Sequence, residues 1–432
     1  MPEAAATRHA MLATVGTDGD LFPFLGLGRE LHARGHRVTL ATHEHFASRA
    51  AAAGLEFCAL VSDAETEDLL AQADLWHPLR GPQTIAAWGR PMMRRHHAEL
   101  RRLVASGNAS LIANPGVVAA RLLAEERSVP LTSVVLQPWI IQSILAPPAM
   151  MSGLSLPRGM PRVVGRAYYR AFDALGWFLV GRELNRLRSS LGMAPVRRVF
   201  RWWLSPSLVL GLFPDWYGPP QRDWPPQLRL TGFPIGDSRD DTELPEDIRA
   251  LCAQERPTVA FTFGTGMKHA AGLFEECIEA CRRGGWNGIF LSQFRDQLPV
   301  PLPPFAMHCG FASFESLFPL CRAVVHHGGI GTTSKALRAG IGQLILPFGF
   351  DQLDNAKRVA HLGVGTWLPR AHRSAGALVE ALRAVLVAEI RTRAKAIADR
   401  FEPRDGLRNA ADQIEAFWRS DAGSNVQKVP PR

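Results

Sequence analysis

A short stretch in the C-terminal half combines two histidines, a run of glycines and two threonines. It reads AVVHHGGIGTTSKALRAG from Ala323 to Gly340, a strand pattern followed by a helical pattern. The amides of a glycine turn and of a helix start carry a partial positive charge that attracts oxyanions. Glycines let an anion approach the backbone, and threonines add hydroxyl donors, although a tight turn that needs positive φ is the purely structural alternative. The pattern predicts a phosphate site formed by Gly328, Gly329, Gly331, Thr332 and Thr333.

The two histidines end the strand that precedes this turn. Side chains alternate between the faces of a strand, so only one of His326 and His327 is expected to reach the ligand. Core packing is the structural alternative for either ring. A zinc pair is not expected, because no further cysteine, histidine or carboxylate stands at a suitable offset nearby.

The elements that must position these residues alternate between short apolar runs and amphipathic runs. Strand patterns in the first half include AMLATV, RVTLAT, LEFCAL, SLIANP and LTSVVL, and the second half repeats them as TVAFTF, GIFL, AMHCGF, AVVHH, QLILP and GTWL. This βαβ alternation predicts parallel sheets covered on both faces. The rhythm starts twice in 432 residues, so we expect two doubly wound α/β domains with a ligand cleft at the carboxyl ends of their strands.

A segment rich in proline and acidic residues separates the two halves and has the composition of an interdomain connection. We predict an N-terminal domain that binds the acceptor over residues 1–234, a linker over 235–250 and a C-terminal domain that binds the donor over 251–405. We predict a further helix over 406–420, which packs either on the C-terminal domain or back on the N-terminal domain. A disordered tail is predicted over 421–432.

Composition narrows the classes of function. Lysine and arginine outnumber aspartate and glutamate by 49 to 40, and the resulting charge of +9 favours a polyanionic ligand or an anionic surface. No feature of the sequence supports a nucleic-acid partner. The cysteines form no Cys-x-x-Cys pair and the start lacks a signal-peptide pattern, so we expect a cytoplasmic protein with reduced thiols. Residues 128–157 are uncharged but interrupted by prolines, which favours a buried strand and an apolar loop over a membrane helix.

The motifs taken together resemble a known family. The order His-x-Gly-x-Gly-Thr, then Ala-Gly, then a strand that ends in Pro-x-x-x-Asp-Gln resembles the donor signature of nucleotide-sugar glycosyltransferases of the GT-B fold. VGTDGDLFPFLGLGRELHARGHRVTLAT resembles the start of the bacterial members. LFPDWYGPPQRDWPPQLRLTGFPI and HHGGIGTTSKALRAG are similar to the rhamnosyltransferases of rhamnolipid synthesis, a subfamily of this group. The resemblance runs from Met11 to Phe417 and implies two Rossmann-like domains that face each other across a cleft.

The resemblance also implies roles for individual residues in binding the donor. His327 matches the histidine that contacts the diphosphate, with His326 as the fallback, and Thr332 matches the hydroxyl residue at the phosphate. Gly264 and Thr265 match a glycine-containing loop of the donor domain. The implied residues for the donor sugar are Asp351 and Gln352, and those for the nucleobase are Phe311 and Ser313. Core packing is the alternative for Phe311.

The implied chemistry is a single displacement that inverts the anomeric centre without a metal or other cofactor. Charge develops on the leaving diphosphate, and a helix start with a nearby histidine stabilises it. Asp20 stands where the family carries its catalytic base, and an enclosed carboxylate can have the raised pKa that this role needs. Many relatives carry histidine there, so a cap for a helix that begins at Leu21 is the alternative.

Two departures from the family pattern bear on the donor. Gly342 replaces the usual proline, and Lys335 occupies the position of a glutamate that binds the ribose hydroxyls. A lysine cannot accept a hydrogen bond from a 2′-hydroxyl, so a deoxyribose nucleotide loses nothing at this position. The sequence therefore favours dTDP-rhamnose as the donor, with UDP-glucose next.

Apolar segments in the first half suit an apolar, hydroxylated acceptor such as a lipid. The candidate residues, for which ordinary core packing is the alternative, are Trp76, Trp88, Trp139, Ile140 and Ile144. Arginines interleave with aromatic residues from Arg158 to Trp203, which fits either peripheral contact with the inner face of an anionic membrane or a solvated helical face. The predicted enzyme is a hexosyltransferase. The alternatives are a sugar-nucleotide epimerase of the same fold, which would consume donor without an acceptor product, and a non-catalytic nucleotide-sugar binder.

Overall fold

Two parallel sheets, each covered by helices, make up the structure. The computed structural model describes residues 7–104, 108–150, 153–234, 243–402 and 405–420. The N-terminal half contains β1 (His9–Ala13), α1 (Asp18–Ala33), β2 (Arg37–His43), α2 (Ala47–Ala52), β3 (Glu56–Val61), α3 (Asp63–Leu70), α4 (Gly81–Leu103), β4 (Ala109–Ala113), α5 (Val118–Arg127), β5 (Leu131–Val135), α6 (Arg162–Gly176), α7 (Arg182–Ser190), α8 (Val199–Trp202), β6 (Leu208–Gly211) and β7 (Leu228–Leu230).

The second half repeats the alternation of strands and helices. It contains α9 (Glu246–Cys252), β8 (Thr258–Thr262), α10 (Ala271–Gly284), β9 (Asn287–Leu291), β10 (Ala306–Cys309), α11 (Phe314–Leu317), β11 (Ala323–His326), α12 (Ile330–Ala339), β12 (Gly342–Ile345), α13 (Gln352–His361), β13 (Gly365–Trp367), α14 (Ala375–Val385), α15 (Ala388–Ala398) and α16 (Gly406–Arg419).

The strand orders are those of doubly wound domains. The first sheet has seven strands in the order β3-β2-β1-β4-β5-β6-β7, and the second has six in the order β10-β9-β8-β11-β12-β13. Neighbouring strands pair in parallel throughout both sheets. In each sheet the order reverses beside the first strand of the domain, which is where such sheets bind ligands. The predicted pair of doubly wound domains is confirmed.

The central strands read as continuous apolar runs because both of their faces are buried. In β1, Leu12 packs into a cluster with α1 and α16. Its neighbour Met11 packs on the opposite face, in a cluster with α4 and α5. Phe261 and Ala260 of β8 divide in the same way between two clusters of the second domain. Alternation of side chains along each strand therefore supplies two apolar layers to each domain.

The final helix returns to the first domain. Residues of α16 pack into the cluster that covers α1 and β1, and the indole Nε1 of Trp418 donates to Ser110 Oγ at 2.8 Å. Arg34 at the end of α1 forms ion pairs with Asp412 at 2.8 Å and Glu415 at 3.0 Å. The core of the N-terminal domain thus includes the chain's last described helix.

Two predicted segments lie wholly or partly outside the described residues. The predicted tail over 421–432 is outside them, and the predicted linker over 235–250 is described only from 243 onward. The uncharged segment begins with the buried strand β5 and continues through a short 3₁₀ turn, Pro138–Ile140, into irregular structure. Among the helices that the structure describes, none has both the length and the apolar character needed to cross a bilayer.

Candidate active site

A cavity of about 2090 Å³ lies between the two domains. Its N-terminal wall includes the loop after β1 and the start of α1, and its C-terminal wall includes the loops after β8 and β11 and the start of α12. The predicted site residues that line the cavity, on either wall, are Asp20, Gly264, Thr265, Phe311, Ser313, His327, Gly329, Gly331, Thr332, Asp351, Gln352, Trp76, Trp88, Trp139 and Ile140. The fold therefore brings residues from distant parts of the chain to one cleft.

Asp20 lies in the first turn of α1. The helix begins at Asp18 and not at Leu21, so Asp20 is its third residue. Its Oδ2 accepts hydrogen bonds from Thr17 N at 3.0 Å and from Thr17 Oγ1 at 3.3 Å. Burial raises the pKa of Asp20 to about 6, although both bonds from Thr17 act in the opposite direction. Asp20 is thus a helix-start residue whose carboxyl group also lines the cavity.

His43, which the sequence did not single out, supports the loop that carries Asp20. Its Nε2 accepts a hydrogen bond from Gly16 N at 3.2 Å. Its Nδ1 lies 2.8 Å from Thr66 Oγ1, whose proton is donated to Ser62 O. The proton of this imidazole is therefore on Nδ1. Burial is the main cause that lowers the pKa of His43 to about 4, which keeps the ring neutral.

The ring of His327 lies between Gly264, in the loop after β8, and Gly329, just before α12. Gly264 has φ +89°, and a β-carbon there would come within 3.1 Å of the ring; a β-carbon at Gly329 would come within 2.3 Å. Both positions therefore need glycine while the ring occupies this place. Burial lowers the pKa of His327 to about 4, and a hydrogen bond with the backbone of Thr262 acts in the opposite direction. The cavity is thus lined by a neutral imidazole beside a helix N-terminus.

The structure does not bring four of the predicted residues to the cavity wall: His326, Gly328, Thr333 and Ile144. His326 is fully buried, with Nε2 3.0 Å from Gln343 Oε1 and Nδ1 accepting from Gly328 N at 3.1 Å. Both of its ring nitrogens are therefore used by partners inside the fold. Thr333 is buried and donates from Oγ1 to Gly329 O at 2.9 Å, as a helix residue does.

Asp351 and Gln352 lie where α13 begins. Gln352 is buried, and its Oε1 accepts from Phe348 N at 2.7 Å and from Gly349 N at 3.1 Å, which fixes the preceding loop. Asp351 Oδ2 accepts from Asn355 Nδ2 at 2.7 Å. Burial, followed by the charge of Asp20, raises the pKa of Asp351 to about 7. The charge of Asp20 on one domain therefore acts on a carboxyl group of the other domain.

Asn355 connects this site to the rest of the fold, and sequence reasoning missed it. Its Nδ2 also donates to Gly328 O at 2.9 Å, and its Oδ1 accepts from Tyr217 Oη at 2.8 Å. Because Tyr217 precedes the linker, this buried amide joins the glycine turn, Asp351 and the N-terminal half. The available signal was its place four residues after Asp351 on one helix face.

The side of the cavity beside α11 holds the predicted nucleobase residues. Phe311 is 43% exposed and, with Ser313 at the N-cap of α11, lines the cavity. Lys335 is also on this wall, and its Nζ lies 2.9 Å from Glu315 Oε1. Arg338 contacts the same carboxylate oxygen at 3.1 Å. The lysine is therefore next to a carboxylate that the sequence did not connect with it.

The predicted acceptor residues have several different contacts. Trp76 donates from Nε1 to Gly266 O at 3.3 Å and packs edge-on against Phe350, so it joins the two domains as well as lining the cavity. Trp88 donates to Glu65 O at 2.9 Å. Ile144 lies outside the cavity because it packs against Gly165 of α6, where a β-carbon would be within 2.5 Å of it.

Hydrogen-bond donors and a carboxylate line the same cavity from different domains. The glycine turn and the start of α12 offer amides to an anion, while Asp20 offers a base of raised pKa from the opposite domain. The space between them continues into an apolar region lined by aromatic side chains such as Trp139, Phe172 and Trp203. Such a site can stabilise a departing phosphate and deprotonate a hydroxyl within one cleft.

Two family profiles match the chain, one in each domain. The glycosyltransferase family 28 N-terminal domain matches residues 10–146. The C-terminal domain of the family named erythromycin biosynthesis protein CIII-like matches residues 293–402. The first match contains Asp20, and the second contains His327 and Asp351. Each of the two matched regions therefore contributes residues to the cavity wall.

Several curated relatives that the chain matches are named sterol 3-beta-glucosyltransferase. The Arabidopsis thaliana protein UGT80A2 is 28% identical over 435 residues, which are 95% of this chain and 65% of that protein. The Candida albicans protein is 25% identical over 439 residues, which are 95% of this chain and 28% of that protein. The chain thus spans less than two thirds of their length. These matches favour the sterol glucosyltransferases over the rhamnolipid subfamily that the sequence resembles.

Solved structures share the fold over nearly the whole chain. The glycosyltransferase of kitacinnamycin superposes with a TM-score of 0.69 at 20% identity, over 95% of this chain and 99% of that chain. The spinosyn rhamnosyltransferase SpnG complexed with thymidine diphosphate superposes with a TM-score of 0.65 at 19% identity, over 95% of this chain and 100% of that chain. With the two family matches and the paired sheets, these structures show that the chain has the fold of the GT-B glycosyltransferases.

Proposed function

We propose that the protein is an inverting glycosyltransferase that moves a hexose or deoxyhexose from a nucleotide-sugar to a hydroxyl of an apolar, sterol-like acceptor. One observation carries this proposal: a helix start that suits a diphosphate faces a carboxylate of raised pKa across a single cavity. The family membership of both domains supports it. The proposal assigns the donor to the C-terminal wall and the acceptor to the N-terminal wall.

In this proposal Asp20 takes the proton of the acceptor hydroxyl as its oxygen bonds to the anomeric carbon. The bond between that carbon and the diphosphate oxygen breaks, and its electron pair leaves with the nucleoside diphosphate. The amides at the start of α12, together with His327, stabilise the charge of the leaving group. Asp351 and Gln352 hold the sugar hydroxyls. No metal is needed in this scheme, because the helix amides offset the diphosphate charge.

The acceptor proposal rests on the apolar part of the cavity. Trp88, Trp139 and Ile140 line it together with residues of α6, which gives a wide apolar enclosure in the same cavity as the carboxyl group of Asp20. Pockets of this kind recognise apolar ligands by burial and orient them with few polar groups. The relatives' name specifies a sterol. We therefore propose a polycyclic or lipid-like alcohol as the acceptor.

The donor proposal rests on the position that Lys335 occupies. Its ammonium group cannot accept a hydrogen bond from a ribose 2′-hydroxyl, which removes one reason to prefer a ribonucleotide. The solved structure with thymidine diphosphate supports a dTDP-sugar in a site of this fold. We therefore propose dTDP-rhamnose as the first candidate donor. UDP-glucose is the second candidate, because the relatives' names specify a glucosyl group.

The test is a product assay with defined donors and acceptors. The protein is incubated with dTDP- and UDP-sugars and a panel of sterols and lipid alcohols, with and without EDTA, and products are detected by mass spectrometry. A glycosylated acceptor, formed equally well in EDTA, is the expected result. Donor consumption without an acceptor product would replace the proposal with an epimerase. Donor binding without turnover would replace it with a binding protein.

A further inference from the structure

Helix α6 separates the apolar part of the cavity from the outside of the protein. Tyr168, Phe172 and Leu175 lie on one side of this helix and line the cavity. A π-helical turn, Trp177–Gly181, continues the helix into α7, and its Leu179 lines the cavity as well. The spacing of these residues places them on one helical face. The proposed acceptor pocket is therefore only one helix away from the surface.

The opposite side of the same helix is apolar and basic. Val163 is 71% exposed and Phe178 is 64% exposed. Arg162, Arg166 and Arg170 follow each other at four-residue intervals and are exposed too. We name these five residues, of which Phe178 lies in the π-helical turn that continues the helix, the outer face of α6. Within the part of the chain that the structure describes, no carboxylate forms an ion pair with any of these three arginines.

A small second cavity extends the basic character of this face. It has a volume of about 240 Å³. The residues that line it are Arg170, Asp173, Ala174, Trp177, Phe178, Arg197 and Arg198. Guanidinium groups bind phosphate groups through paired hydrogen bonds, and an adjacent exposed phenyl ring suits the boundary between head groups and acyl chains. Both features fit a phospholipid surface better than bulk water.

Leu154 connects the outer surface with the cavity. Its side chain is 66% exposed and also lines the cavity, as does the exposed Leu175 of α6. An apolar path thus leads from the surface beside α6 into the enclosure lined by aromatic residues. An acceptor that follows this path does not need to cross water.

We propose that the outer face of α6 docks on an anionic lipid bilayer and that the opening beside Leu154 and Leu175 admits the acceptor from that bilayer. The second part rests on the function proposed above. Arginines at the edge of an apolar face keep their charges at the head groups while their stems and the apolar residues enter the interface. Anionic lipids add attraction for each cation near the surface.

Flotation with vesicles tests the docking. The full chain is mixed with vesicles of phosphatidylcholine alone or with 30% phosphatidylglycerol. We expect binding only to the anionic vesicles, and release in high salt. The double variant V163S/F178S and the triple variant R162Q/R166Q/R170Q should each reduce the bound fraction about tenfold or more. The matched controls V387S and R282Q/R283Q/R383Q change exposed residues of the other domain and should bind normally.

Glycosyl transfer to one sterol, supplied either in detergent or in vesicles, distinguishes an effect on membrane docking from an effect on the reaction. With a sterol in detergent, the variants of the outer face should turn over like the unmodified protein; with the sterol in vesicles, they should be slower. Failure of the unmodified protein to bind anionic vesicles, or normal binding by both variants, would overturn the proposal. A change of oligomeric state in those variants, measured by light scattering, would assign the face to a second copy of the chain instead. Vesicle binding without any transferase activity would leave the docking intact and defeat the proposed function.

Discussion

The carboxyl group of Asp20 on the N-terminal wall raises the pKa of Asp351 on the C-terminal wall, so the two domains share an electrostatic unit across the cleft. Burial raises both pKa values, to about 6 for Asp20 and about 7 for Asp351. Like charges in a poorly solvated space do not ionise independently. The Asp351 carboxyl group therefore loses its proton at a higher pH than a surface carboxyl group does.

Replacement of Asp20 tests the proposed base. Asp20→Asn should lower kcat at least ~100-fold and leave donor binding almost unchanged, because an amide cannot take a proton. Asp18→Asn is the matched control, since Asp18 lies in the same helical turn and lines the same cavity. Steady-state kinetics and calorimetry give the two quantities. Turnover close to normal in Asp20→Asn would show that another group is the base.

The raised carboxyl pKa values predict how activity and stability depend on pH. The base works when it is ionised, so kcat/KM should rise with pH and level off above an apparent pKa of about 6. The free energy of unfolding should change in the opposite direction and fall as pH rises. A raised pKa in the folded state stabilises the fold below the unfolded-state pKa, and this contribution is lost as pH rises through about 6 to 7. A rate plateau that already begins at pH 5 would contradict the shifted base.

Alanine substitutions separate the two adjacent histidines. His327→Ala should weaken nucleoside diphosphate binding, because it removes the ring that lines the cavity beside Gly329. His326→Ala should mainly lower stability, by about 2–4 kcal/mol, because it leaves a buried space and unpaired partners at Gln343 and Gly328. Calorimetry of binding and urea denaturation measure the two effects. Weaker binding in His326→Ala than in His327→Ala would reverse the assignment.

His43 should matter as a positioning residue. Loss of its bond to Gly16 N frees the loop before Asp20, so His43→Phe should lower kcat about tenfold with little change in nucleotide binding. His43→Gln keeps a side-chain acceptor and should restore part of the rate. Equal loss in both variants would indicate a role in packing alone. Steady-state kinetics give kcat and calorimetry gives the dissociation constant of the nucleotide for each variant and for the unmodified protein.

Nucleotide preference tests the interpretation of Lys335. We expect dTDP to bind more tightly than UDP by about 1–2 kcal/mol, the size of one polar contact or of a packed methyl group. Lys335→Glu alone would place a second carboxylate next to Glu315. The double change Lys335→Glu with Glu315→Gln avoids that repulsion and should narrow the preference by restoring an acceptor for the ribose. Tighter binding of UDP by the unmodified protein would point to a UDP-sugar donor.

The sequence revealed the sheets because their strands are buried on both faces, which leaves uninterrupted apolar runs such as that of β1. It also revealed the residues that follow strand ends, including His327 and Asp351. It misplaced the start of α1 by three residues, because Asp18 and Gly19 precede the first apolar residue. His43, Asn355 and Glu315 escaped notice because each also has a partner on a distant segment, which only the folded chain brings close.

The return of α16 to the first domain has a consequence for biosynthesis. A ribosome makes the strands and helices of the N-terminal domain first, yet Leu407, Ile414 and Trp418 of its core are translated after the whole C-terminal domain. The first domain therefore waits with an apolar groove uncovered along α1 while the second domain emerges. Nascent chains stalled before residue 406 should bind chaperones at that groove, and release of α16 should end the interaction.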